Sequence, residues 1–179
     1  MDSNDILLFW FEEIEPANWW IKDFQFDGMI TKRFTDVHRA ATCCELFPWR
    51  ITPEGRLAEI IILDQFSRNM FRDTALSFAA DPLALALAQE AISVGADIKL
   101  NQSQRSFLYM PFMHSESLVV HDVAVKLYTK NGSQNSLDFE LKHRGIIQKF
   151  GRYPHRNSIL GRTSTQSELE FLTQANSSF

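Results

Sequence analysis

Apolar residues recur along the chain with a helical period. Ile30, Phe34, Val37, Ala41 and Cys44 fall on one stripe, and Asp27 ahead of them is the expected N-cap. Leu46-Phe47-Pro48-Trp49-Arg50 interrupts the pattern, and Thr52-Pro53-Glu54 restarts it as cap, first-turn proline and acid. The segment Leu57 to Phe66 is apolar nearly all round, as a central buried helix is. Its Ile60-Ile61-Ile62 run would also suit a buried strand, but the capped start and the continuation through Asp64-Gln65-Phe66 favour helix. Asp81-Pro82 opens the next helix and Gly95 stops it. There Leu83, Leu85 and Leu87 alternate like a strand, while the interleaved alanines and Gln89-Glu90-Ala91 are strong helix formers.

A short helix follows from Gln102 to Phe112, ending near Pro111, and another runs from Ser115 to Thr129. After the turn Asn131-Gly132-Ser133, Ser136 opens a helix with Phe139, His143, Ile146, Ile147 and Phe150 on one face, closed by Gly151. A last helix is expected from Thr165 to Thr173. No two-residue hairpin signal joins alternating runs, so the expected fold is all-α: antiparallel helix pairs stacked as an α-α superhelix, one domain over residues 1–179. The Trp-Leu-Gly-Tyr signature of tetratricopeptide repeats is absent.

Composition narrows the classes. With 179 residues and 15 Phe the chain can bury a large aromatic core without disulfide or metal staples, and its composition excludes fibrous proteins, disulfide scaffolds and a membrane span. The start Met1-Asp2-Ser3-Asn4-Asp5 is acidic, and Glu12 and Glu13 end the apolar run Ile6 to Phe11, so no secretory leader is expected. The adjacent Cys43 and Cys44 are ill placed for a disulfide; they read as small core residues in a reduced, cytoplasmic protein.

The net charge of −4 speaks against nucleic-acid binding. From Leu141 to Arg162, however, there is no Asp or Glu, and Lys142, Arg144, Lys149, Arg152, Arg156 and Arg162 are all cationic. Taking those six away from −4 leaves −10 on the rest. The basic stretch either folds back onto the acidic remainder or lines a site for an anion, since the arginine fork serves both.

Three constellations carry the candidate chemistry. Phe150 to Arg162 is a glycine-flanked loop holding Arg152, His155, Arg156, Asn157 and Arg162. Leu63-Asp64-Gln65-Phe66-Ser67-Arg68-Asn69-Met70-Phe71-Arg72 sets Asp64, Arg68 and Arg72 four residues apart, one ladder if the helix continues. Asp64 inside an apolar helix needs a partner, an Arg of the last loop on the structural reading, so Asp64 and Gln65 are expected to be structural polar residues. Tyr109-Met110-Pro111-Phe112-Met113-His114-Ser115-Glu116 offers His114 beside Glu116 as acid or base, with Ser115 as a helix cap and no nucleophile elbow to make it a nucleophile. His143 is expected in the core, hydrogen-bonded. His38, the pair His121-Asp122 and Asp138 lack a compact ligand pattern, so no metal and no cofactor is expected.

These three segments, with His143-Arg144 and the early Phe9-Trp10-Phe11, resemble the bacterial proteins of domain-of-unknown-function family 924 over nearly the whole chain. The resemblance implies an all-helical, tetratricopeptide-like right-handed superhelix. The family has no established activity, so it brings no catalytic role. Ser67 stands where the family pattern carries Pro, Met113 where it carries Glu and Gly145 where it carries Asp, which removes carboxylates beside His114 and Arg144.

The leading expectation is a binding or scaffold module in which Arg68, Arg72, Arg152, His155, Arg156, Asn157 and Arg162 receive an anionic small molecule or an acidic or carboxylate-bearing peptide. The alternative is a small hydrolase or transferase on an anionic substrate, with His114 or His155 as acid or base and Glu116 alongside.

Overall fold

A computed structural model describes residues 1–175 and Ser177. The chain is all-α, with no strand among the described residues. Helix α1 (Ser3–Leu8) starts on Asp2, whose carboxylate accepts from the Asn4 and Asp5 N–H groups, and passes into a π-helical turn over Phe9–Glu13. Helix α2 (Phe24–Thr42) is capped by Asp23, which accepts from the Gln25 and Phe26 N–H groups, one turn before the expected start. Asp27 therefore lies inside the helix, buried, where it receives Arg72 at 2.5 and 2.7 Å and Asn69 at 2.9 Å.

The stripe Ile30, Phe34, Val37 and Ala41 is buried as expected. Cys44 is not part of it. The helix ends at Thr42, Cys44 takes φ 59°, and both cysteines are free and exposed rather than core residues.

Helix α3 (Pro53–Ile61) begins where the Thr52 hydroxyl accepts the Gly55 N–H at 3.0 Å. It continues through a π turn, Ile62–Phe66, into α4 (Ser67–Met70), and every residue from Leu57 to Phe66 is buried. Helix α5 (Asp81–Ser93) buries Ala84, Ala88 and Ala91 rather than its alternating leucines, so small side chains let it lie close against α3. The stretch Ala75–Ser93 is long and apolar enough to cross a membrane by length and composition alone, where the composition was expected to exclude a membrane span.

Helix α6 (Gln102–Met113) carries a capping box between Asn101 and Gln104 and runs two residues past Pro111. Helix α7 (Leu118–Asn131) has Ser117, not Ser115, at its N-cap position. Only Gly132 and Ser133 separate it from α8 (Gln134–Phe150), which forces the two to pack as an antiparallel pair. The buried face of α8 is Glu140, His143, Ile146 and Ile147; Phe139, expected on that face, is 41% exposed. Helix α9 (Gln166–Leu172) starts with another capping box, Thr165 with Glu168.

One large core runs from Ile6 through the aromatic cluster of Phe9, Trp10, Phe34, Phe66 and Phe107 to Tyr128. A satellite core joins Ile146, Ile147 and Tyr153, with Phe150 packed on Phe171 at 5.1 Å. The polar residues of interest sit where these two cores meet.

Candidate functional site

Asp64 lies in the π turn after α3, with its side chain wholly excluded from water. It is nevertheless well supplied with donors. His114, at the C-cap of α6, reaches Oδ1 through Nδ1 at 2.7 Å; Arg68 approaches the same oxygen at 3.2 Å; and the Gln65 amide donates to Oδ2 at 2.5 Å. Burial alone would raise the carboxyl pKa, but the positive Arg68 and the His114 bond outweigh it and hold Asp64 well below the usual carboxylate range. Burial and Arg68 together push the His114 imidazole below its ordinary value, against the pull of Asp64. The ring is therefore neutral at pH 7. Because an ionised carboxylate only accepts, Nδ1 carries the proton and Nε2 carries the lone pair. No hydrogen bond engages Nε2 among the described residues, and the side chain keeps 13% of its surface exposed.

Arg68 donates to the Asp64 carbonyl at 2.7 Å and grips Asp81 with both terminal nitrogens at 2.9 and 3.1 Å. Asp81 is the first residue of α5, but it makes no cap hydrogen bond there; its carboxylate faces the arginines instead. Arg156, in the 3-10 turn Pro154–Arg156, touches Asp81 only at 3.3 Å. Its guanidinium lies 4.5 Å from the Phe78 ring centre and 4.7 Å from that of Tyr153, a sandwich that fixes its plane. Arg156 is 7% exposed, and its Nε is buried without a hydrogen-bond partner.

The loop carrying Arg156 is locked from behind. Tyr153 donates its N–H to Glu116 at 2.7 Å and its hydroxyl to the Met113 carbonyl at 2.5 Å. Arg162 forks onto Glu116 at 2.6 and 2.9 Å and also donates to Asn157 at 3.0 Å; Asn157 in turn donates to Ser164. Arg152 holds Glu168 at 2.6 and 2.8 Å, anchoring α9. His155 packs 5.5 Å from the Tyr153 ring, where burial and the neighbouring Arg156 push its pKa down to about 4.

Beneath Tyr153, His121 bonds Glu140 through Nδ1 at 2.7 Å and the Ser115 carbonyl through Nε2 at 2.9 Å. A carbonyl can only accept, so Nε2 must carry a proton. Burial raises the Glu140 pKa, against the pull of its bond to His121. His143, bonded to the Phe139 carbonyl at 2.8 Å, is driven by burial to about 3 and is a neutral core residue, the setting expected of it.

The sequence-predicted residues thus divide. Arg68, Arg156, His114 and His155 come together, with Asp64 and Gln65 in support. Arg72 does not join them, because α4 ends at Met70 and Arg72 turns away to Asp27. Arg152, Asn157 and Arg162 fasten the loop to its surroundings, and Glu116 is spent on Arg162 and Tyr153. Ser115 is not a cap; its carbonyl receives His121. The last-loop arginine expected on Asp64 goes to Asp81 instead. Asp81, Phe78 and Tyr153 were not foreseen, and nothing local in the sequence marks them. The acid-free stretch folds largely onto carboxylates, since Arg144 also pairs with Asp122 at 2.8 Å. His38 bonds Ser67 at 2.8 Å and Asp138 accepts from Gln134, far from any shared centre; no metal-like grouping of His, Cys, Asp and Glu occurs among the described residues. A surface recess of about 300 Å³ lies elsewhere, between α1 and α6, lined by residues such as Leu7, Phe11, Glu12 and Gln104.

The comparison with protein families decides the relationship. A model described as bacterial protein of unknown function, DUF924, matches residues 6–176. The chain belongs to the DUF924 family. A solved structure of a protein of unknown function from Agrobacterium tumefaciens, ATU0120, is 40% identical and superposes with a TM-score of 0.90, covering 95% of this chain and 96% of that one. No curated protein matches. The DUF924 fold is therefore established for this chain, and the chemistry must be argued from its side chains.

Proposed function

We propose that this DUF924 chain binds a small molecule or peptide end through a single carboxylate, with Arg156 as the principal contact and His155 beside it. The observation that carries this reading is the state of Arg156. It is a buried guanidinium with one long contact to a shared carboxylate and a donor left unmatched. Leaving such a donor unsatisfied costs about 1–3 kcal/mol, which a bound acceptor would recover. Arg68 contributes field rather than donors, since its terminal nitrogens are taken up by Asp64 and Asp81. One guanidinium with spare capacity suits one carboxylate better than a phosphate dianion. The anion-binding set of the sequence reading thereby contracts to Arg68, Arg156 and His155.

Consecutive packing of α6 on α7 and α7 on α8 supports tetratricopeptide-like stacking, and two exposed, unbridged cysteines support a reducing, cytoplasmic setting.

The test is a thermal-shift series with glutarate, phosphate and a neutral diester at matched ionic strength. A ligand at a hundredfold its Kd adds about 2.7 kcal/mol, several degrees in Tm. The expected result is a shift with glutarate that disappears in Arg156→Ala. Equal shifts in wild type and Arg156→Ala would overturn the assignment.

A second reading, a small enzyme with His114 as base, is favoured by one specific observation: Asp64 holds Nδ1 and leaves Nε2 unengaged.

A further inference from the structure

We propose that the Asp64–His114 pair is the general base of an esterase whose substrates are small esters bearing a free carboxylate, held by Arg156 while water attacks the ester carbonyl at His114 Nε2. The substrate class rests on the carboxylate reading of Arg156; the chemistry rests on a separate set of atoms.

A general base needs a lone pair aimed at the reacting atom, a fixed tautomer and a group that stabilises the cation formed on proton uptake. Asp64 supplies the last two. Its Oδ1 sits 2.7 Å from Nδ1, so the ring cannot flip its tautomer, and its negative charge lies where the imidazolium will form. Arg68 and Gln65 brace that carboxylate from two further directions, at 3.2 and 2.5 Å, and keep it ionised though it is sealed from water. The imidazole is at once neutral in the resting state and within reach of solvent on one edge. His121, by contrast, has both nitrogens engaged, with Glu140 and Ser115. His114 Nε2 has no hydrogen bond among the described residues, on a side chain that keeps 13% of its surface exposed.

No serine or cysteine lies within hydrogen-bonding distance of His114 among the described residues, so the nucleophile is water. His114 Nε2 takes a proton from the water as its oxygen bonds to the carbonyl carbon. The tetrahedral intermediate then collapses, the bond from carbon to the alcohol oxygen breaks, and the departing oxygen takes the proton back from His114. An ester and water become a carboxylic acid and an alcohol, the acid then releases its proton to solvent to give a second carboxylate, and Asp64 remains ionised throughout. Water without a covalent intermediate suits a good leaving group, hence an ester rather than an amide.

The experiment uses the full chain with mono-p-nitrophenyl glutarate, with neutral p-nitrophenyl butyrate as comparator, and measures glutarate binding by thermal shift in parallel. The expected result is nitrophenol release above the buffer rate, at least tenfold faster in kcat/KM for the glutarate ester. The rate should rise with pH along a limb whose midpoint lies below 6.5. His114→Ala and His114→Gln should fall to the buffer rate yet keep the glutarate shift. Asp64→Asn should lower kcat by about a thousandfold or more with KM little changed, as removing the orienting carboxylate of such a pair does. Should Asp64→Asn fail to fold, the two His114 variants still decide the matter. A glutarate shift without nitrophenol release overturns the esterase and leaves the carboxylate site standing. Absence of both overturns the site and the esterase together. Release that survives in both His114 variants overturns His114 as the base.

Discussion

Asp64 is a charge removed from water and held by three side chains, so its substitutions should separate packing from charge. Asp64→Ala strands Arg68 and His114 beside a void, and a loss of about 3–5 kcal/mol in unfolding free energy is expected from urea titration. A loss below about 1 kcal/mol would mean that the pairing contributes little. The histidines make a second prediction at this scale. His38, His114, His143 and His155 all have folded-state values below the unfolded value of about 6.5, the last two at about 3 and 4. Between the two values the unfolded chain binds more protons than the folded one, so stability is full above pH 6.5 and is lost as pH falls toward 3. Glu140 works with the opposite sign, because its raised value favours proton uptake by the folded state, but it is one group against four. The urea midpoint should therefore decline from pH 7 to pH 5, before ordinary carboxylates titrate. A flat midpoint over that range would contradict the neutral buried imidazoles.

At the level of elements, local chemistry was legible and long-range chemistry was not. Thr52-Pro53 and Thr165 announce their helices because a cap and its N–H partners lie within three residues. Asp27 and Ser115 carry the same residue types, yet one is drawn inward by Arg72, 45 residues away, and the other gives only its carbonyl, to His121. The sequence lists donors and acceptors but not who meets whom. Asp81 finds Arg156 across 75 residues, and no pattern in either segment signals it. Two substitutions test the elements themselves. Thr165→Ala should cost about 1 kcal/mol and loosen α9, visible as faster amide exchange there. Gly55→Ala should be far worse, since a Cβ would stand 2.0 Å from the Trp49 carbonyl oxygen and backbone must move to admit it; failure to see a large drop in Tm would show that the Trp49 turn yields easily.

Across the whole molecule, two cores are stitched by ion pairs that each join distant segments: Arg68 and Arg156 to Asp81, Arg162 to Glu116, Arg152 to Glu168. The all-helical architecture followed from periodicity because each helix buries its own stripe. The site did not, because it forms only when four separate segments arrive together. That separation allows one more prediction: ten millimolar glutarate should raise Tm while leaving the urea m-value unchanged, since binding alters stability without altering the surface exposed on unfolding. A changed m-value would mean that the ligand reshapes the fold.

The π turn at Ile62–Phe66 has a genetic corollary. Such a turn arises when one residue is inserted into an α-helix, and each residue winds the backbone by about 100°. Deleting the codon for Ile62 would let α3 and α4 read as one regular helix, locally content. It would also remove the widened turn that carries Asp64, shifting that carboxylate relative to His114 while the helix on either side keeps its phase. The chain therefore carries one extra residue in its central helix whose removal would suit the helix and dismantle the cluster. Length variation at this point in the lineage should be rarer than in any loop, although no turn or linker there would be broken.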